Sequence, residues 1–184
     1  EVTVLIEPQA RTAAIFLFGG GHCSLAIARL AVDCGLHVTV ADDRRELSEN
    51  FPETVEWVTE LSAPNFIGSR KWAADEAIML VSRRSDLDRD ALGAALKNPG
   101  AGYVGMIGSA RKVRRVFDEL RADGITQQQL ESVYAPIGLD IEADSPAEIA
   151  ISVLAEFLKV TRRRSGAHLR DRICGSHFGT AESR

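Results

Sequence analysis

Three consecutive glycines, Gly19-Gly20-Gly21, follow the apolar run Ala13-Ala14-Ile15-Phe16-Leu17-Phe18 and directly precede His22. Glycine at positions 19 and 21 lets a backbone turn tightly and approach a pyrophosphate. The free N–H groups and positive dipole end of a helix starting there favour the anion. Asp42 and Asp43 come about 20 residues later, the spacing at which an acid closing the next strand accepts hydrogen bonds from a ribose. Arg44 and Arg45 leave a phosphate-bearing ribose open, so the spacing does not choose between NAD and NADP. Ser24 takes the third glycine position of the fingerprint and is small enough for a helix and sheet to approach. A glycine triplet alone also fits a plain strand-to-helix turn; strand, turn, helix, strand and acid in order favour nucleotide-type binding.

His22 either donates to a phosphate or carbonyl in the crevice or is a solvated or capping residue. Cys23 lies near a helix start, where a thiol pKa tends to fall, yet a small buried residue is the better reading. Cys34 and Cys174 receive no role. A second candidate anion site lies in Tyr103-Val104-Gly105-Met106-Ile107-Gly108-Ser109-Ala110-Arg111-Lys112. Helix starts prefer acids, yet Arg111 and Lys112 stand in the first turn, with Arg114 and Arg115 behind them. An anion over a Ser109 cap would share those cations, and Gly105 and Gly108 would leave the strand end open; a solvated basic face is the alternative. Further on, Gly138-Leu139-Asp140 sits in a long apolar loop that can line the same crevice. There Asp140 is either a ligand contact or an Asx turn.

The elements that must position these residues recur with a regular beat. Short apolar runs at 13–18, 38–41, 55–58, 77–81 and 103–107 read as buried parallel strands, and 2–6 as a possible sixth at an edge. Apolar stripes at 25–32, 91–96 and 113–120 read as helices ended by Gly35, Asn98-Pro99-Gly100 and Gly124. Thr126 to Gln129 has capping-box spacing. Ser145-Pro146-Ala147-Glu148 is a strong start signal for a helix of about five turns. Strands alternating with helices give a doubly wound α/β domain, a mostly parallel sheet with helices on both faces. Residues 1–163 form that domain. Residues 164–184 form a basic, flexible tail, since six Lys/Arg and one acid lie between Lys159 and Arg172.

Composition narrows the function classes. The 184 residues carry a net charge of −4, against a general nucleic-acid binder, and 45% are hydrophobic, as in an ordinary globular protein. No apolar run approaches the roughly 20 residues that span a bilayer, and the N-terminus lacks the pattern of a secretory signal. Three widely spaced cysteines support neither a disulfide scaffold nor a zinc ribbon, so the expected compartment is the cytoplasm.

Taken together, Phe18-Gly-Gly-Gly-His22, Val40-Ala-Asp-Asp-Arg44, Tyr103-Val-Gly-Met-Ile-Gly-Ser109, Ala135-Pro-Ile-Gly-Leu-Asp-Ile141 and the run from Ser145 to Glu156 resemble the Rossmann domain of the xanthine dehydrogenase accessory factor family, the XdhC/CoxI-type proteins. Order and spacing hold from about Ala13 to Arg163. The resemblance implies a protein that binds newly made molybdenum cofactor (molybdopterin) and protects it. It further implies sulfuration with a cysteine desulfurase partner and delivery to a xanthine dehydrogenase-type hydroxylase. On that reading Gly19, Gly21 and His22 take the phosphate side, and Asp42 or Asp43 a ribose or pterin edge. Arg83, Ser109 and Arg111 complete the anion pocket, with Gly20, Arg44, Ser82, Gly108, Lys112, Gly138 and Asp140 around them. A homodimer is expected, and neither nucleic acid nor a membrane.

Two departures stand out. Many relatives carry a Thr-His-Asp-like triplet after the fourth strand, where this chain has Ser82-Arg83-Arg84; Arg83 would replace an imidazole's polar contact with a charge. The usual Gly after Gly-Leu-Asp-Ile is Glu142 here. Relatives often carry an N-terminal domain outside these 184 residues, and a Rossmann half alone is expected to bind ligand without handing it on. The rival readings are an NAD(P)-dependent oxidoreductase, for which no paired Tyr-Lys or His-Asp proton donor is evident, and a nucleotide-binding regulatory module.

Overall fold

The computed structural model describes residues 13–59 and 62–174. Five strands, Ala14–Phe18 (β1), His37–Ala41 (β2), Glu56–Val58 (β3), Glu76–Leu80 (β4) and Tyr103–Met106 (β5), form one parallel sheet in the order β3-β2-β1-β4-β5. All five lie where the apolar runs place them. The helices are His22–Asp33 (α1), Ala63–Gly68 (α2), Ser85–Lys97 (α3), Ala110–Ala122 (α4), Gln127–Glu131 (α5), Pro146–Thr161 (α6) and Leu169–Cys174 (α7). A 3₁₀ turn, Arg45–Asn50, follows β2. Neither α2 nor that turn is anticipated by periodicity, because each is about two turns or less. The candidate strand at 2–6 lies outside the described residues.

Period-2 alternation in the central strands builds two cores. Ile15 and Leu17 of β1 with Ala77 and Met79 of β4 face α1 and α6, meeting Ile27, Ala31, Val153 and Phe157. Phe16 and Phe18 with Ile78 and Leu80 face the other way, against α2, α3 and α4 through Ile67, Leu92, Val116 and Leu120. Strands apolar on both faces are what a sheet covered on both sides requires, and each buried Ile, Leu, Met, Val or Phe among them stabilises the fold by about 1.5–3 kcal/mol. Helix ends follow local chemistry. Ser145 and Thr126 each close a capping box, on α6 and α5, and Gly35 (φ +74°) and Gly124 (φ +88°) stand just past the ends of α1 and α4.

The segment after α5 is not a free loop. Tyr134 bridges Gly105 in parallel register, donating its N–H to Val104 O (2.9 Å) and accepting from Met106 N–H (3.0 Å). Ile137 N–H then reaches Met106 O (3.0 Å). The outer edge of β5 is thus covered. Gly105 serves this packing instead of opening the strand end: a Cβ there would lie 2.6 Å from the Ile137 side chain. Past α6, residues 164–168 are irregular before α7.

Because β1 connects outward to β2 and β4 outward to β5, the chain reverses its direction of winding between β1 and β4. The crevice at the carboxyl ends of those two strands is where such sheets bind ligands.

Candidate functional site

The three glycines of the β1–α1 turn differ in what requires them. Gly19 has φ +108°, and a Cβ there would lie 2.8 Å from the Val81 carbonyl oxygen and 2.9 Å from Ser82 Cα. At Gly20 a Cβ would meet the Trp57 ring at 2.6 Å. At Gly21 it would meet no protein atom within 4 Å, and the backbone there (φ −78°, ψ −176°) is extended and open to any residue. The first two glycines are fixed by the protein's own packing. The third faces open space. Gly21 is also the N-cap of α1 and has no side chain to accept from the first-turn amides, in contrast to Ser109, Thr126 and Ser145 on α4, α5 and α6. Ser24 is fully buried and donates its hydroxyl to the Gly19 carbonyl, so a small polar residue locks the turn where a third glycine is common.

Asp42 belongs to the turn. Its Oδ2 accepts from Gly20 N–H (2.6 Å) and Arg44 Nη2 (2.8 Å), and its Oδ1 from Arg44 N–H and Arg44 Nε (both 2.9 Å). Burial pulls the carboxyl pKa up, but these hydrogen bonds and the Arg44 charge outweigh it and hold the pKa far below the usual carboxylate range. Asp43 is exposed. Trp57 packs edge-on against Phe51 (5.1 Å) beside Gly20, and its indole N–H is buried without a hydrogen-bond partner.

Around the β1 and β4 ends the surface sinks into adjoining clefts. The first, of about 410 Å³, opens over Gly20, Gly21 and His22, with Cys23 and Leu25 of α1 on one wall and Arg44, Leu47 and Phe51 on another. Ser82, Arg83 and Ile107 close it on the far side. A neighbouring cleft of about 240 Å³ shares Gly21, Arg44, Ser82 and Arg83 and adds Gly19, Asp42 and Asp43. A third, of about 270 Å³, continues past Asp42, Asp43 and Ser82 to Ala63 and Leu87. The structure therefore brings together the glycine turn, His22, Asp42, Asp43, Arg44, Ser82 and Arg83. His22 and Arg83 are both exposed at this rim. Burial pushes the Cys23 thiol pKa up, against the lowering its place at a helix start suggests.

The second strand-to-helix junction opens elsewhere. Gly108, Gly138 and Asp140 line a separate cleft of about 500 Å³ with Ile137, Ile141 and Glu142. Ile107 borders both this cleft and the first. Ser109 caps α4 by accepting from Lys112 N–H (3.3 Å). The Lys112 ammonium turns inward, bound to Asp88 and to the Ser82 carbonyl (3.2 Å). Burial pushes the Asp88 carboxyl up, and the Lys112 and Ser82 hydrogen bonds offset this in part. Lys112 thus holds the Ser82–Arg84 loop from below. Arg111 is exposed and lines none of these clefts, and Arg115 bonds Ser85. Of the basic residues at the start of α4, Lys112 and Arg115 are thus engaged by the protein's own groups, while Arg111 and Arg114 are exposed.

Glu156 has no part in the sequence reading beyond its place in a motif, yet it anchors this region. Its Oε2 accepts from Tyr103 Oη (2.5 Å) and from Gly138 N–H (2.9 Å). Burial and then the Glu156 carboxylate push the Tyr103 phenol pKa far up. Gly138 (φ +108°) has no room for a side chain, since a Cβ would lie 2.4 Å from Ser152 Oγ. Leu47 and Phe51 are likewise missed, because the short 3₁₀ turn that positions them has no helical period. Glu142 stands in left-handed backbone (φ +55°), a conformation that favours glycine. Glu142→Gly relieves about 1 kcal/mol of strain against a smaller gain in unfolded-chain entropy, so it is expected to raise Tm by about 1–3 °C in thermal denaturation.

Comparison with known proteins agrees with this architecture. The XdhC Rossmann domain family matches residues 15–157. An uncharacterized protein of Escherichia coli, YqeB, is 35% identical over 170 residues, covering 90% of this chain and 30% of its own. A Bacillus subtilis protein described as a probable xanthine dehydrogenase subunit is 28% identical over 160 residues, covering 86% and 45%. This chain thus spans less than half the length of both relatives. In fold it is similar to a crystal structure described as a xanthine dehydrogenase from Bacillus halodurans, with a TM-score of 0.71, 22% identity, and coverage of 88% of this chain and 46% of that one. Among the described residues no helix is long and apolar enough to cross a membrane. With most of its length matched and the doubly wound sheet in place, this chain belongs to the XdhC Rossmann domain family.

Proposed function

We propose that this chain binds molybdenum cofactor as a maturation and insertion factor for a xanthine dehydrogenase-type hydroxylase. One observation carries the reading: Gly21 is required neither by its backbone nor by its neighbours, and the space it leaves lies in a 410 Å³ cleft against the uncapped amides of α1. A glycine with open space where its side chain would stand lets a guest approach the backbone closely. The first-turn amides of α1 and the Arg83 guanidinium suit the cofactor's phosphate, and the apolar wall of Leu25, Leu47 and Phe51 suits a flat heterocycle. His22 supplies a further polar contact at the mouth. Family membership and the Bacillus subtilis relative support the accessory role.

The wider scheme belongs to the same proposal. A cysteine desulfurase sulfurates the bound cofactor, the chain pairs with a second copy of itself, and the work is done in the cytoplasm. The test is purification from molybdenum-replete cells followed by mass spectrometry of the released small molecule. Release of a pterin phosphate or its dinucleotide is expected; release of NAD(P) instead would overturn the reading.

Arg111 lies beyond the clefts, so it acts on an anionic ligand only through its long-range field. Arg111→Glu is expected to weaken molybdopterin binding about threefold at low ionic strength and to have little effect near 0.5 M salt. A salt-independent loss in the titration would mark misfolding instead.

A further inference from the structure

An acid that closes the second strand of a dinucleotide-binding sheet reads ribose through carboxylate lone pairs left free for the two hydroxyls. An ionised carboxylate has about four such acceptor positions. At Asp42 four hydrogen bonds from within the protein meet them, two on each oxygen, from Gly20 N–H, Arg44 N–H, Arg44 Nε and Arg44 Nη2. The Asp42 side chain is only 6% exposed, and Arg44, which makes three of the four bonds, lines the first cleft while Asp42 borders the two neighbouring ones. The Gly20 amide, which a pyrophosphate-binding turn would direct at its guest, is committed to the same carboxylate. The Trp57 ring and the Asp42 side chain both pack where a Gly20 side chain would stand. Bidentate arginine–carboxylate bonds are among the strongest a side chain makes.

We infer that the Asp42–Arg44 clamp is a specificity determinant that closes this turn to ribose diols and leaves it to phosphorylated ligands held at the Gly21 end. The inference rests on the proposed reading in one respect, that the Gly21 end receives the phosphate. It separates the chain from the NAD-binding proteins whose sheet order it shares. It also gives Arg44 a task, guarding an acid from ligand, that the bare spacing of glycines and acids conceals.

Fluorescence titration with NADH tests it, with ADP-ribose followed by calorimetry as a second diol-bearing probe. The chain as it stands is expected to show no saturable binding below about 1 mM. Arg44→Met keeps the apolar stem and the backbone bond but frees the acceptor positions held by Nε and Nη2, and is expected to bind NADH at least about tenfold more tightly. Adding Asp42→Asn to that variant should remove the gain. Should Arg44→Met not fold, Arg44→Gln, which leaves a shorter neutral donor, should show a smaller gain in the same direction. Micromolar binding of NADH by the unaltered chain, through Asp43 or any other group, would overturn the inference. So would a variant with unchanged circular dichroism and a cooperative melt that binds NADH no better. These titrations need no molybdopterin: Gly21-dependent molybdopterin binding without the Arg44→Met gain sinks the clamp alone, and the gain without molybdopterin binding sinks the proposed function alone.

Discussion

Gly21→Val is expected to abolish molybdopterin binding while the melting temperature falls by no more than about 4 °C. The backbone at Gly21 is extended and open to any residue, and a Cβ there would meet no protein atom, so the cost to the folded chain is that of a poorer helix N-cap. The added methyl groups instead fill the space against the first amides of α1. Losing two charge-assisted hydrogen bonds to phosphate, each about 1.5–3 kcal/mol, amounts to at least a 100-fold loss of affinity. Titration with molybdopterin beside a thermal melt reads both quantities. Unchanged affinity would remove the glycine turn from the site.

Gly19→Ala should do the opposite. Two positions earlier, one methyl group meets the Val81 carbonyl oxygen at 2.8 Å and Ser82 Cα at 2.9 Å, and φ +108° is a conformation an L-residue rarely adopts. Neither neighbour is a flexible side chain; both are backbone just past the end of β4. Strain at such a site and the displacement of β4 together cost about 3–5 kcal/mol, or roughly 10 °C in Tm for a chain of this size. Urea or thermal denaturation measures it. A stable Gly19→Ala variant would mean that the β1 and β4 ends are not as closely joined as described. Within three residues the same amino acid thus serves two masters, the protein's own packing at the first two positions and, on the proposed reading, a ligand at the third.

The sheet is legible in the sequence because its strands are buried on both faces, and apolar runs punctuated by glycine admit few other readings. The capping boxes at Thr126 and Ser145 are legible for a similar reason, since the partners lie within three residues of one another. Contacts across long separations are not. Lys112 reads as a ligand cation because Asp88, its partner 24 residues away, gives no local sign of its burial. Asp42 reads as a ribose acceptor because Arg44, although only two residues away, suits a phosphate equally well until its direction is known. Glu156 is silent because its two partners lie 53 and 18 residues off. Gly105 reads as an opening, and Ile137 fills it.

The short parallel pairing of Tyr134 with β5 has a bearing on how other proteins can recognise this side of the molecule. An outermost strand normally presents a row of bare amides and carbonyls that another chain can extend by adding a strand of its own. Here the Met106 amide and the Val104 and Met106 carbonyls are already taken by the chain's own return segment. A visitor arriving at this flank has no backbone template to extend. It must be identified through side-chain shape and charge, which carry specificity where backbone pairing carries affinity.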